Sequence, residues 1–208
     1  MFQECIASED FKYITLETGS FAVNTTIFLL KNKVYIVDPG SNAEDIFACL
    51  SKLNATSYDV LLTHGHFDHI GALSRLAEKN EDMKVYVSQE DLNVIDHPFN
   101  AYPPDYPPVK RPTQIGDFSS LDGIEVIKTP GHTPGGVCYY IKDHSIIFSG
   151  DTLFRRSVGR TDLPGGDMGL LMSSLKKLML LPDTLKVIPG HGAPTTIAEE
   201  RAMNPFVV

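Results

Sequence analysis

The sequence has no tryptophan, only three cysteines, and no apolar run close to the roughly 20 residues that span a bilayer. Cys5, Cys49 and Cys138 are odd in number and form no Cys-x-x-Cys pair, which argues against a disulfide framework and a thiolate zinc site. The first residues carry neither the basic region nor the long apolar core of a secretory signal. We therefore expect a protein of the reducing cytoplasm with no membrane partner, and we expect Cys138 to lie in the core.

Positive charge is also scarce, with 18 Lys and Arg against 26 Asp and Glu, for a net charge of −8. An acidic chain repels phosphate, so no nucleic-acid partner is expected. Hydrophobic residues make up 42% of the 208 residues and charged residues 21%, which is ordinary for a globular protein and excludes wholesale disorder. This length suits one domain over residues 1–208.

Short apolar runs alternate with turn signals and predict an α/β protein. Runs at 26–30 and 33–37, separated by Lys31 and Asn32, predict a hairpin, and Ser41 or Asn42 can cap the helix that follows. Asp167 can cap a later helix. The order of elements fits two sheets packed face to face with helices outside. The other predicted strands are 11–17, 59–63, 84–87, 124–128, 137–141, 145–149 and 185–188, and the other helices run over 70–77, 89–95 and 197–203.

Three histidines fall within the six residues 64–69. In an extended segment positions i and i+2 point the same way, so His64 and His66 can converge on one cation. Asp68 and His69 lie beyond them, in the turn towards a helix, and can face a second cation. Neutral imidazole and carboxylate suit zinc, iron or manganese and are not a dedicated calcium set.

Three further candidates follow separate predicted strands: His132, Asp151 and His191, each beside a glycine. Taken singly, either histidine is as consistent with a surface loop, and Asp151 is as consistent with a turn. Together with the 64–69 segment they indicate a metal site. His97 and His144 are interpreted as loop and turn residues.

The pattern His64-x-His66-x-Asp68-His69, followed by His132, Asp151 and His191, resembles the ligand set of the metallo-β-lactamase superfamily, and the resemblance runs from about residue 11 to residue 194. Segments 37–40, 129–135 and 150–154 are closer to its glyoxalase II branch. Segment 159–162 is similar to one in that branch and in its persulfide dioxygenase relatives.

This resemblance implies an αββα sandwich of two mixed β-sheets with helices on the outer faces. It implies a pair of divalent metals, with Asp151 bridging them. Asp38 is implied to orient a ligand imidazole by accepting its other N–H, while a turn residue that ends a strand is an equal interpretation. The first metal is implied to bind His64, His66 and His132, and the second Asp68, His69 and His191.

The same resemblance implies a hydrolase that acts on a small-molecule thioester such as S-D-lactoylglutathione. Zinc is the expected metal, with iron or manganese as alternatives, and Asp68 is expected to orient the nucleophilic water. Relatives that are true β-lactamases carry Cys or Ser where Asp151 stands, which disfavours a β-lactam substrate. Oxygen-reducing diiron relatives carry Glu where His66 stands, which argues against that reaction.

Substrate contacts are less defined in the sequence. Arg160 is the candidate for holding a substrate carboxylate, with Arg155 and Arg156 as a solvated basic cluster. The proline-rich loop 97–112, with Tyr102 and Tyr106, either lines the pocket or packs against solvent. The helical C-terminal domain of full-length glyoxalase II is expected to be absent.

Other functions stay open on the sequence. One is a mononuclear iron persulfide dioxygenase using His64 or a neighbour with His132 and Asp151, a two-His-one-carboxylate set. A lactonase or another small-ester hydrolase is a further one. A non-catalytic metal-binding or nucleic-acid-binding module is opposed by the open ligand set and the negative charge. The oligomeric state is not specified by the sequence.

Overall fold

The structure is a computed structural model that describes residues 3–6, 11–100, 106 and 108–207. Its first sheet is mixed: the first four strands are antiparallel, and the last two run parallel to the fourth. In spatial order these strands are β1 (Gln3–Ile6), β2 (Phe11–Thr18), β3 (Val23–Leu30), β4 (Lys33–Val37), β5 (Asp59–Leu61) and β6 (Val85–Tyr86).

The second sheet is also mixed, with one parallel pair among antiparallel ones. Its spatial order is β13 (Thr195–Thr196), β12 (Lys186–Pro189), β9 (Ile146–Gly150), β8 (Val137–Ile141) and β7 (Glu125–Lys128), and β12 pairs in parallel with β9. A separate small hairpin joins β10 (Leu153–Phe154) to β11 (Ser157–Val158).

Helices cover the outer face of each sheet. The first sheet carries α1 (Ala43–Lys52), α2 (Phe67–Ile70), α3 (Leu73–Lys79) and α4 (Gln89–Ile95), and the second carries α5 (Met168–Leu178) and α6 (Ile197–Met203). The predicted αββα sandwich of two mixed sheets is confirmed. Among the described residues, no helix is long and apolar enough to cross a membrane.

Alternation along the strands assigns side chains to three apolar layers. In β8, Val137, Tyr139 and Ile141 face the layer between the sheets, whereas Cys138 and Tyr140 face α5. The thiol of Cys138 is fully buried, so its predicted place in the core is confirmed.

Aromatic rings join the two sheets at the middle of the sandwich. Phe28 on β3 stacks on Phe148 of β9, with ring centroids 5.3 Å apart and planes 14° apart. Such offset stacking adds to the area that the rings bury, and it fixes how one sheet lies on the other.

Several local predictions hold and others need correction. Lys31 and Asn32 form the predicted turn, with φ of 48° and 65°, and Asp167 caps α5 by accepting from the N–H of Leu170 at 2.9 Å. Asn42 is the N-cap residue of α1, but its side-chain oxygen accepts a hydrogen bond from the backbone N–H of Gly19 and not from an N–H of the helix. The helix predicted over 70–77 is broken into α2 and α3, because the N–H of Ala72 donates to the carbonyl of Pro39.

The loop predicted over 97–112 contains a short 3-10 turn, Pro98–Asn100. Tyr106 is fully buried, with its ring edge-on to those of Phe21 and Phe67. Tyr102 lies outside the described residues.

Candidate metal centre

The histidines and carboxylates that the sequence singles out lie on loops and turns that follow strands at one end of the sandwich. His64 and His66 follow β5, and Asp68 and His69 lie in the short helix α2. The other three come from the second sheet, after β7, β9 and β12: His132, Asp151 and His191.

Six of these side chains form two groups. The ligand atoms of His64, His66 and His132 lie within 4.8 Å of one another, and so do those of a second group, Asp68, His69 and His191. In the first group, Nδ1 of His66 is 2.9 Å from Nε2 of His132. In the second, Nε2 of His191 is 3.3 Å from Nε2 of His69 and 3.4 Å from Oδ2 of Asp68. These are the same two groups that the resemblance implies.

The carboxylate of Asp151 lies between the groups. Its Oδ1 is 3.3 Å from Nε2 of His69, and its Oδ2 is 3.6 Å from Nε2 of both His132 and His191. A Cβ atom at position 190 would lie 2.2 Å from Oδ1 of Asp151, so only glycine leaves room for this approach. One carboxylate therefore touches both halves of the cluster.

Hydrogen bonds donated by Nδ1–H orient three of the imidazoles. The Nδ1–H of His69 donates to Oδ2 of Asp38 at 3.0 Å, that of His132 to the carbonyl of Arg160 at 2.7 Å, and that of His191 to the carbonyl of Phe21 at 2.9 Å. An imidazole that donates from Nδ1 keeps the lone pair of Nε2 free for a metal.

The loop that carries His191 is held by Asn24, at the beginning of β3 in the first sheet. The side-chain amide of Asn24 donates to the carbonyl of Pro189 at 3.0 Å and to that of Gly192 at 2.8 Å. Its backbone N–H donates to the carbonyl of Gly190 at 2.8 Å. The last histidine of the cluster therefore depends on β3.

Asp38 combines the two roles that the sequence left open. It follows β4 with a left-handed φ of 46°, which few non-glycine residues adopt, and its carbonyl accepts from the hydroxyl of Thr25 at 2.7 Å. Its carboxylate accepts from the N–H of Thr63 at 2.7 Å and the Thr63 hydroxyl at 2.6 Å, as well as from His69. Although its oxygens also lie within 4.8 Å of His64 and His69 ligand atoms, these three donors occupy them, and we assign Asp38 to orientation.

Burial and mutual charge set the protonation of the cluster. Burial lowers the pKa of His66 to about 3, with nearby His132 adding to the effect, and burial lowers the pKa of His64 well below its usual value. Burial opposes the charge on Asp68 and Asp151, yet His69 and the other neighbouring histidines together outweigh it and lower the pKa of both carboxyls. Burial alone would lower the pKa of His69 and His191, but the nearby carboxylates raise it, so these two rings release a proton when a metal binds.

Unpartnered atoms test whether the cluster fits a metal. The buried Nε2 atoms of His64 and His66 and Oδ1 of Asp151 have no hydrogen-bond partner among the described residues. A buried polar atom without a partner is costly, and most native proteins avoid one. His66 faces His132 through Nδ1, so Nε2 of His64 and Oδ1 of Asp151 are the unpartnered atoms that zinc, iron or manganese would satisfy, and the residues fit a pair of such ions.

The candidate substrate contact Arg160 and the two arginines of the basic cluster are all paired with acids. Arg160 forms a two-pronged pair with Asp162, with both N–O distances 2.7 Å, while Arg155 lies 3.0 Å from Glu199 and Arg156 3.8 Å from the same carboxylate. The Arg160 side chain is 62% exposed, and the residue meets the cluster through its carbonyl.

Sequence reasoning missed several groups that hold the cluster. Backbone carbonyls such as those of Phe21 and Arg160 carry no side-chain signal at all. Thr63, whose hydroxyl lies 3.0 Å from Nδ1 of His64, was treated as a strand residue. Asp91 is buried behind the cluster, and its Ser88-x-x-Asp91 spacing is typical of a helix N-terminus.

The sequence of this chain matches the family model of the Metallo-beta-lactamase superfamily over residues 18–191. The chain belongs to this superfamily. Its fold and its two histidine-rich groups agree with a metal-dependent hydrolase of the superfamily, in which a dinuclear metal site is expected. Hydroxyacylglutathione hydrolase GloC of Haemophilus influenzae (strain ATCC 51907 / DSM 11121 / KW20 / Rd) is 35% identical over 186 residues, which are 83% of this chain and 86% of that protein.

Solved structures of the superfamily match the fold closely. TTHA1623 in a di-iron-bound form superposes with a TM-score of 0.85 at 37% identity and covers 92% of this chain and 98% of its own. The B3 metallo-beta-lactamase BLEG-1 has a TM-score of 0.84 at 33% identity and covers 94% and 99%. The predicted superfamily is therefore confirmed, whereas these relatives differ in the metal or the activity that they are named for.

Proposed function

We propose that the chain is a dinuclear metal-dependent thioesterase that hydrolyses hydroxyacylglutathione-type thioesters such as S-D-lactoylglutathione. The observation that carries the proposal is the pair of three-residue groups joined by Asp151. Three protein donors per cation plus the shared carboxylate make four, and a water can join as a fifth ligand, a coordination number that catalytic zinc reaches and that structural zinc, closed at four, does not. The likeness to GloC supports the thioester substrate.

In this proposal Asp151 would be shared by both cations, and Asp38 holds the ring of His69 in place. Zinc is the proposed metal, and the di-iron form of TTHA1623 makes iron the first alternative to test, ahead of manganese. The first cation would be held by His64, His66 and His132, and the second by Asp68, His69 and His191.

Bound divalent metals supply a water whose pKa is near 7 and a Lewis acid for the carbonyl oxygen. The chain supplies the orientation. Asp68 is ionised, since His69 and His191 lower its pKa, so it can accept a hydrogen bond from the attacking water and align it. A thiol of pKa about 8.5 leaves as thiolate, so the chain needs no strong general acid.

Aromatic rings line the cluster on two sides. The ring of Phe99 lies 5.4 Å from that of His66, and the ring of Phe154 lies 6.1 Å from that of His191. We propose Arg160 as the contact for a substrate carboxylate. Its pair with Asp162 is exposed, and exposed ion pairs contribute little to stability, so a substrate can replace Asp162 at little cost.

Elemental analysis of protein purified without added metal, followed by a substrate panel, tests the proposal. The panel holds S-D-lactoylglutathione, a lactone, a β-lactam and glutathione persulfide with oxygen uptake recorded. We expect about two metals per chain and fastest turnover of the thioester, lost when the metals are removed. Equal rates with and without metal would refute hydrolysis by this centre. Faster turnover of the β-lactam or the lactone would refute the substrate, and oxygen uptake with one iron per chain would establish the dioxygenase instead.

A further inference from the structure

Asp91 lies in the first turn of α4 and is fully buried. Its carboxylate accepts three hydrogen bonds, all from two loops that lie outside its own helix. Oδ2 accepts from the N–H of Gly65 at 2.9 Å and the hydroxyl of Thr133 at 2.8 Å, and Oδ1 accepts from the N–H of Gly135 at 2.7 Å. Burying a carboxylate is costly unless such donors surround it, so this arrangement requires an explanation.

The three donors belong to the loops of one ligand group only. Gly65 stands between His64 and His66, and Thr133 follows His132. One carboxylate therefore spans the two separate loops from which this group is assembled. In the second group, His69 is instead held by Asp38 and His191 by the carbonyl of Phe21.

The approach of the second loop is as close as backbone permits. A Cβ atom at position 135 would lie 1.9 Å from the hydroxyl oxygen of Ser88 and 2.7 Å from Oδ1 of Asp91. Glycine at 135 lets the loop descend onto the first turn of α4, where Ser88 caps the helix by accepting from the N–H of Asp91 at 3.2 Å. The helix end and the loop are thus held as one unit.

An ionised carboxylate can accept all three hydrogen bonds that the two loops donate to it. Hydrogen bonds to a charged acceptor are about twice as strong as neutral ones, and all three here are 2.9 Å or shorter. An amide would turn an N–H₂ group towards N–H donors and break at least one bond. The residue is therefore specified by the loops that it joins.

We propose that Asp91 is a positioning residue that sets the metal affinity of the group formed by His64, His66 and His132, without contacting the metal. The inference rests on the proposed dinuclear site. When a residue that hydrogen-bonds to a metal ligand is substituted, metal affinity falls by about 10- to 100-fold. Asp91 acts one step further back, on the loops, and its effect should fall on one group and leave the other unchanged.

The test is a cobalt(II) titration of metal-free full-length chain, followed by visible absorption, with Asp91→Asn placed in two backgrounds. His191→Ala keeps intact the ligand group that Asp91 supports, whereas His132→Ala keeps intact the other group. We expect Asp91→Asn to weaken cobalt binding by about 10- to 100-fold in the first background and by less than about twofold in the second. Equal loss in both, or no loss in either, would overturn the proposal.

A matched control separates this effect from general destabilisation. Asp59 is also a buried carboxylate, which accepts from the N–H of Lys84 at 2.9 Å and lies 2.7 Å from Nζ of Lys33, at the end of β5 away from the cluster. Asp59→Asn should leave cobalt affinity unchanged in both backgrounds. If Asp59→Asn weakens binding as much as Asp91→Asn does, the effect is on folding and the inference fails.

Should Asp91→Asn not fold, Thr133→Val removes one of the three bonds and keeps the side-chain volume. It should weaken cobalt binding by about 3- to 10-fold in the first background only, less than the 10- to 100-fold expected for Asp91→Asn, because two of the three hydrogen bonds to Asp91 remain. A chain that binds no cobalt with all its ligands in place would instead refute the dinuclear site itself. That outcome is distinct from the failure of the role of Asp91.

Discussion

Nδ1 of His69 lies 3.0 Å from Oδ2 of Asp38, and both side chains are buried. The contact crosses from the end of β4 to the helix α2, and it points Nε2 of His69 at Asp151. Asp38 also accepts both donors of Thr63, the residue that precedes His64. A single carboxylate thus fixes one imidazole directly and the strand end that carries another.

Asp38→Asn should weaken most the group that contains His69. The amide places a donor against the Thr63 and His69 donors, so the ring of His69 loses its orientation. We expect about a 10- to 100-fold loss of metal affinity at that site, and a smaller loss at the site of His64, which Asp38 reaches only through Thr63. Competition with a chromophoric zinc chelator measures this loss. Asp122→Asn, which changes an exposed partner of Lys31, is the control. Unchanged affinity in Asp38→Asn would contradict the orienting role.

His132→Ala and His191→Ala should each reduce the metal content from about two to about one per chain. Each variant removes one ligand, from a different group. We expect kcat/KM to fall by about 100-fold or more, because substituting even a residue that only hydrogen-bonds to a ligand lowers metal affinity or activity by about 10- to 100-fold. Elemental analysis and the thioester assay check both effects. His144→Ala is the matched control, since His144 stacks on Phe11 with centroids 4.4 Å apart. Two metals retained in either ligand variant would be incompatible with the assignment.

Arg160→Ala tests the proposed contact with the substrate. Loss of a charge-assisted contact that is made equally in the ground state and the transition state should raise KM by about 5- to 30-fold while kcat stays nearly constant. The carbonyl of Arg160 still orients His132, so metal content should not change. Arg155→Ala, which removes a pair with Glu199 away from the cluster, should leave KM unchanged. An unaltered KM in Arg160→Ala would remove Arg160 from the substrate site.

Burial raises the pKa of the Cys138 thiol to about 11. A folded pKa above the unfolded one favours the thiol in the native state, so the stabilisation is present below about pH 9 and is lost as the pH rises through 11. At pH 8 only about 0.1% of native Cys138 is thiolate, and alkylation by iodoacetamide should be at least about 100-fold slower than in urea. Mass spectrometry of the alkylated peptide measures this. Rapid modification of the folded protein at Cys138 would contradict the burial.

The sequence predicts well the features that depend on residues close together in the chain. Alternating apolar residues specify strands such as β8, and the spacing of His64, His66, Asp68 and His69 brings them to one turn. The resemblance supplied the grouping of the remaining ligands. What could not be predicted depends on contacts between distant segments: the break before α3 arises from the carbonyl of Pro39.

The side chains of Asp91 and Arg160 show the same limit. Spacing from Ser88 makes Asp91 typical of a helix start, while its carboxylate turns away to two loops. Arg160 has the chemistry for a substrate carboxylate, yet its guanidinium lies on a neighbour two positions away, Asp162. A sequence pattern specifies what a side chain can bind, and the fold decides which partner is near.

Asn24 has a consequence for when the cluster can form during synthesis. It holds the loop of His191 at a separation of 165 to 168 positions along the chain. Until the ribosome has released the segment that carries His191, β3 has no such loop to bind, and the second group lacks a histidine. Early cation capture by the emerging chain is thus limited to an incomplete set of ligands, and full loading reports that Asn24 and the loop of His191 have come together.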